Sequence, residues 1–176
     1  RRPPRSTLFP YTTLFRSDIA KIAVIERHHA TGSFSVALVR GLGVTCGAIA
    51  STIAHDSHNL IVAGCDGKAM ALAVNHLRRH GGGMVVVEGT RVRHFPLPIA
   101  GLMSDRSIGE TARGYRDICA RARERDHAIG NVFMHMAFLA LPVIPRLRIT
   151  DMGLVDVVRQ EMAGESAGFF RPPRAE

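Results

Sequence analysis

Four short apolar runs, separated by polar or glycine-containing breaks, dominate the first part of the chain and restrict it to a sheet-based fold. They occupy residues 21–25, 35–39, 48–54 and 60–63. Each is four to seven residues long, the length of a strand and too short for a stable helix. The first ends at Glu26-Arg27-His28-His29, the second is closed by Gly41 and Gly43, and the last two flank His55-Asp56-Ser57-His58-Asn59.

The pattern then changes period. Met70, Ala73, Val74 and Leu77 recur at helical spacing behind Asp66, a residue suited to accept from the free amides of a first turn. Arg78, Arg79 and His80 close that turn sequence with positive charge, and Gly81-Gly82-Gly83 stops it. Residues 84–87 then return to strand character, and Glu88-Gly89 leads into residues 92–95 as a hairpin. Pro96-Leu97-Pro98 is extended, Ser104-Asp105 suits an N-cap, and a second helix is expected over 107–125. Its apolar face is expected to be Ile108, Ala112, Tyr115, Cys119 and Ala122. Residues 132–147 are apolar and bounded by Pro142 and Pro145. The alternation predicts an α+β or mixed α/β domain, a β-sheet with two main helices.

Composition removes several function classes. Charged residues make up 22% and hydrophobic ones 46%, as in a globular protein rather than a disordered one. The apolar run at 132–144 is interrupted by His135 and is shorter than the roughly 18 residues a spanning helix needs, so no membrane partner is expected. Cys46, Cys65 and Cys119 are odd in number and widely spaced, which fits a reducing, cytoplasmic setting better than a disulfide framework. The net charge of +8 rests on 23 basic residues, of which only Lys21 and Lys68 are lysines. Four of the arginines lie in the first 17 residues, and the remainder form no patch interleaved with aromatics, so nucleic acid is not an expected partner.

That first segment, 1–17, stands apart. Its Leu8-Phe9-Pro10-Tyr11-Thr12-Thr13-Leu14-Phe15-Arg16-Ser17 string resembles the conceptual translation of a sequencing adapter, and Pro10, Arg16 and the threonines break any secretory apolar core. The expected division is a non-native segment over 1–17, a domain over 18–160 and a tail over 161–176. On this reading the natural protein begins further upstream.

His55-Asp56-Ser57-His58-Asn59 is the densest group of reactive side chains. Imidazole and carboxylate together can bind a metal, shuttle a proton or hydrogen-bond a purine-like ring. The structural alternative is a polar loop whose Asp and Asn close turns. A complete metal shell needs three or four ligands, more than this loop supplies unaided. His28 and His29, if still extended, point to opposite faces, so at most one joins any site. Glu26-Arg27 suits a surface or interface ion pair. Gly81-Gly82-Gly83 follows a helix and precedes a strand, the reverse of the order that aims amides at phosphate.

Longer strings go further than any of these. Glu26-Arg27-His28 with Thr31-Gly32, and Gly47-Ala48-Ile49-Ala50-Ser51-Thr52-Ile53-Ala54-His55-Asp56-Ser57-His58-Asn59, resemble the C-terminal domain of bacterial adenine deaminases. So do Pro96-Leu97-Pro98-Ile99-Ala100-Gly101-Leu102-Met103-Ser104-Asp105, Phe138-Leu139-Ala140-Leu141-Pro142-Val143-Ile144-Pro145 and Thr150-Asp151-Met152-Gly153-Leu154-Val155-Asp156-Val157. The resemblance covers residues 18–158. It implies the C-terminal domain of a larger amidohydrolase-superfamily enzyme that hydrolyses adenine to hypoxanthine and ammonia. It also implies a divalent metal, manganese or iron, held by an upstream barrel domain whose ligands have no counterpart here, and a homo-oligomer. Within such an enzyme, the polar cluster between two apolar runs makes His55, Asp56 and His58 the expected accessory catalytic groups, with Asn59, His28, Ser104 and Asp105 as substrate-binding candidates. The competing expectation is a non-catalytic structural or dimerisation module.

Overall fold

A computed structural model describes residues 19–123 and 131–163. The segment 1–17 and most of the expected tail lie outside the described residues, as do residues 124 and 125 of the expected second helix.

Six strands form one antiparallel sheet: β1 (Ile19–Ile25), β2 (Phe34–Arg40), β3 (Ala48–Ser51), β4 (Leu60–Gly64), β5 (Gly83–Glu88) and β6 (Arg91–Pro96). Their spatial order is β2-β1-β4-β3-β5-β6, so β4 is inserted beside β1 and β3 pairs outward with β5. Every residue of β3 and β4 is buried, because helices cover both faces there; the edge strands β2 and β6 are largely open to solvent. That is why the central strands carry unbroken apolar runs where a half-exposed antiparallel strand would alternate.

Helix α1 (Gly67–His80) lies on one face, packing Ala69, Met70, Ala73 and Leu77 against Ala48, Ala50, Val62, Val85 and Val87. Asp66 caps it as expected, its carboxylate accepting from the Lys68 and Ala69 amides at 3.1 and 3.4 Å. Gly81 ends it in the left-handed conformation, φ 78°. The opposite face holds α2 (Ile108–Arg123) and α3 (Val132–Leu139), with Ile118, Phe133 and Met136 buried against Ile22, Ile49, Ile61 and Val86. Beyond α3, β7 (Leu147–Thr150), β8 (Gly153–Asp156) and β9 (Glu161–Met162) form a small antiparallel sheet beside β2. The pairing of β9 carries regular structure into residues 161–162.

The architecture is mixed α+β, with an antiparallel sheet and, among the described residues, three helices. The apolar stretch after residue 131 supplies the third. Two local expectations are corrected. The start of α2 is capped at Ser107, not at Ser104-Asp105: the Glu110 amide donates to Ser107 Oγ at 3.4 Å and the Ser107 amide to Glu110 Oε2 at 3.2 Å, a reciprocal capping box. The expected apolar face of α2 holds only in its later turns. Ile118 is its buried residue, Tyr115, Cys119 and Ala122 pack partly, and Ala112 and Ile108 are exposed, Ile108 at 90%.

Candidate functional site

The loop between β3 and β4 projects from one end of the large sheet, and hydrogen bonds from three separate segments hold it. Arg27, just past β1, donates from Nε to the His58 carbonyl at 2.6 Å and from Nη2 to the Ala100 carbonyl at 2.9 Å. The Arg27 amide donates to Asn59 Oδ1 at 3.3 Å. Asn59 is 4% exposed, and its Nδ2 donates to Asp151 Oδ1 at 3.0 Å in the β7–β8 turn. His28 Nε2 donates to the Ser57 carbonyl at 2.7 Å. The acceptor is a carbonyl, so that nitrogen carries the proton.

Glu26-Arg27 is not the ion pair expected. Glu26 turns back on the following residues and accepts from the His28, His29 and Thr31 amides and the Thr31 hydroxyl. Desolvation opposes its ionisation, yet these donors outweigh it and hold the carboxyl down at about 2. Arg27 is thereby left to bridge the loop to Ala100.

His58 sits in the left-handed region, φ 51°, with its amide donating to the Ala54 carbonyl at 2.6 Å. Its Nδ1 accepts from the Ala54 amide at 3.3 Å. Burial, followed by the charges of His55 and Arg27, pushes its pKa below the ordinary value. The ring is therefore neutral with the proton on Nε2, a donor toward whatever faces it. The His55 ring meets it edge-on, centroids 5.5 Å apart, and leans on Phe138 of α3 at the same distance. Asp56 and Ser57 form the exposed tip.

Of the candidates from sequence, the structure thus brings His28, His55, Asp56, His58 and Asn59 to one sheet end. Ser104 and Asp105 are in the chain segment that follows Ala100, but the Ser104 hydroxyl accepts locally from the Arg106 amide at 3.1 Å and Asp105 is exposed. Arg27, Thr52 and Asp151 were not singled out as site residues. Thr52 is 2% exposed; its Oγ1 donates to the Gly101 carbonyl at 2.6 Å and accepts from the Gly83 amide at 2.8 Å. Buried or partly buried polar residues at strand ends were the available signal.

This loop does not fit a metal centre. Among the described residues, no three side chains of this loop converge as metal ligands. The group of metal-ligand type found among the described residues is elsewhere: His76 and His80 of α1 with His94 of β6. An open cleft of about 700 Å³ between β6 and α2 mixes Arg93, Arg106 and Arg121 with Glu110 and Asp117, and the loop does not line it.

Comparison with known proteins agrees with the strings and the fold. Residues 8–161 match the family model described as the adenine deaminase C-terminal domain, which takes in residues 8–17 of the segment set aside above. A protein named adenine deaminase from Methanothrix thermoacetophila is 50% identical over 142 residues, 81% of this chain and 25% of its own length. One named adenine deaminase 2 from Carboxydothermus hydrogenoformans is 50% identical over 149 residues, 84% of this chain and 26% of its own. An adenine deaminase of Listeria monocytogenes is 46% identical over 143 residues. The chain spans about a quarter of the length of the curated relatives it matches. With half of the aligned positions identical and the match running through all but the two ends, the chain belongs to the adenine deaminase C-terminal domain family.

Proposed function

We propose that the chain is the C-terminal part of an adenine deaminase, an enzyme that takes adenine and water to hypoxanthine and ammonia in purine salvage and adenine catabolism in the cytoplasm. The observation that carries this is the family match over residues 8–161. The divalent metal, manganese or iron, belongs on this reading to a barrel domain outside these residues, because no three side chains of the loop converge as ligands. The loop faces the mouth of that barrel. His58 Nε2–H, fixed by the Ala54 amide on the opposite nitrogen, is a donor to a ring nitrogen or to the departing amine. His55 positions it from the side, and Asn59 anchors the loop from below. Phe138 and Met134 are 40% and 42% exposed on one side of α3, Phe138 against His55, which suits a surface covered by the barrel.

The test is His55→Ala and His58→Ala in the complete enzyme. Metal content should stay at the wild-type level while turnover falls about tenfold or more, the scale of lost acid–base assistance. Unchanged turnover in both variants would leave a structural or dimerisation module as the better description. Loss of metal would overturn the assignment of the loop to substrate rather than ligation.

A further inference from the structure

His76, His80 and His94 come together on the far side of the Gly81-Gly82-Gly83 turn. His76 and His80 lie one turn apart on α1, and β6 brings His94 to them through its pairing with β5. The ring centroids are 4.1 Å apart for His76 and His80, 4.8 Å for His76 and His94, and 5.4 Å for His80 and His94. One nitrogen of each lies within 4.8 Å of the other two.

Hydrogen bonds fix which nitrogens are bare. His80 Nδ1 donates to the His76 carbonyl at 2.8 Å, and His94 Nε2 donates to the Gly82 carbonyl at 3.1 Å. Carbonyls only accept, so the lone pairs are left on His80 Nε2 and His94 Nδ1. A backbone carbonyl on the second nitrogen is the usual outer support of a metal-bound imidazole. His76 Nε2 is buried with no hydrogen-bond partner, an arrangement seldom left uncompensated. Burial, then the neighbouring His80, His94 and Arg79, lowers the His76 pKa. Burial lowers that of His94 as well, against the raising effect of the Gly82 carbonyl.

We propose that His76, His80 and His94 bind one borderline transition-metal dication of the zinc, nickel or copper type, with the remaining coordination open to water. All-imidazole donors favour these ions over manganese or magnesium, which prefer oxygen. Nitrogens on a tetrahedral zinc lie about 3.3 Å apart, so the rings close in on binding. His80, exposed in the last turn of α1, is free to do this. The i, i+4 pair resembles half of a hydrolytic zinc helix, but Leu77 stands where that motif carries its glutamate. Without that glutamate, the role of the ion is to staple the end of α1 to β6 across the glycine turn.

The full 176-residue chain, stripped with chelator, is titrated with zinc chloride by calorimetry at about pH 7.5. One zinc per chain is expected, with a thermal midpoint that rises with zinc concentration by linkage. His80→Ala alters an exposed residue and keeps the fold, checked by circular dichroism; it should weaken zinc about tenfold or more. His94→Gln should do the same, and His135→Ala on α3 should change nothing. Cobalt in place of zinc should show visible bands of tetrahedral nitrogen coordination without thiolate charge transfer. No uptake at about 100 µM zinc, where even weak imidazole sites fill, would overturn the proposal. So would equal affinity in wild type and His80→Ala.

Discussion

Asn59 and Asp151 meet side chain to side chain at 3.0 Å although 92 residues separate them. The contact joins the histidine loop of the large sheet to the turn of the small one. Asn59 completes it by accepting from the Arg27 amide, and Asp151 by accepting from Ser33 Oγ at 3.3 Å. The buried Asn59 amide thus ties the base of the loop to two segments, the one after β1 and the β7–β8 turn.

Replacing Asn59 by Ala should therefore strand the Arg27 amide and an Asp151 oxygen. A loss of about 1–3 kcal/mol is expected, the cost of buried polar groups left without partners. Urea unfolding of the purified chain measures it. A change within about 0.5 kcal/mol, ordinary for a surface site, would show that Asn59 anchors nothing.

Two glycines separate backbone conformation from crowding. At Gly83, φ +132°, a methyl group would stand 2.3 Å from the Phe95 carbonyl oxygen and 2.7 Å from His94 Nε2. At Gly89, φ +59°, it would meet nothing within 4 Å. Gly89→Ala should cost about 1–2 kcal/mol, the left-handed penalty alone. Gly83→Ala should cost about 4 kcal/mol or more, since β5 and β6 must part to admit it. Equal losses in the two melts would refute the close approach.

Acid should act in two steps. The folded pKa of Glu26, at about 2, lies below its value in the unfolded chain. Its contribution is present above roughly pH 4.5 and is lost as pH falls toward 2. Wild type and Glu26→Gln should thus differ in thermal midpoint at pH 6 and converge near pH 2. Curves that stay parallel throughout would mean the amide bonds to Glu26 are not formed in solution.

The second step involves His58, His76 and His94, all depressed first by burial. A depressed imidazole favours the fold while neutral, so stability is full above about pH 6.5 and declines as pH drops below it. Thermal melts between pH 7.5 and 5 should show a falling midpoint, shallower in His58→Gln, which has no proton to take up. A midpoint that rises on acidification would contradict the burial of these rings.

The chain by itself should release no ammonia from adenine, with or without added manganese or iron. The loop offers donors and one carboxylate but no converging ligand set, and activation of water by a metal requires one. Metal-dependent ammonia above a heat-inactivated control would show that these residues assemble an active centre unaided.

Local chemistry made much of this legible in the sequence. Asp66 and Gly81 bracket α1 because a cap and a left-handed stop act within a few residues, and the Met70–Leu77 stripe reports its buried side. The short apolar runs of β3, β4 and β5 announced strands, while the covering of both sheet faces by helices emerged only in the fold. Ser107 and Glu110 carry the signature of a capping box, although Ser104-Asp105 offered the same chemistry three residues earlier. Histidines at 55 and 58 between two apolar runs marked a loop at a sheet end.

What the sequence left undecided is everything that depends on distant partners. Strand order β2-β1-β4-β3-β5-β6 sets β1 against β4, and only the competition among all possible pairings selects it. That order carries Arg27 to His58 and Ala100, and the docking of the small sheet against β2 carries Asp151 to Asn59. The exposed Ile108 shows the same limit on a helix, since burial depends on what packs against a residue and not on its own hydrophobicity. His76 and His80 are readable as an i, i+4 pair, but His94 joins them only through the register of β5 and β6. Helix caps and turns are fixed by contacts a few residues long, whereas sites assembled from separate strands exist only after the loop-closure entropy of the whole sheet has been overcome.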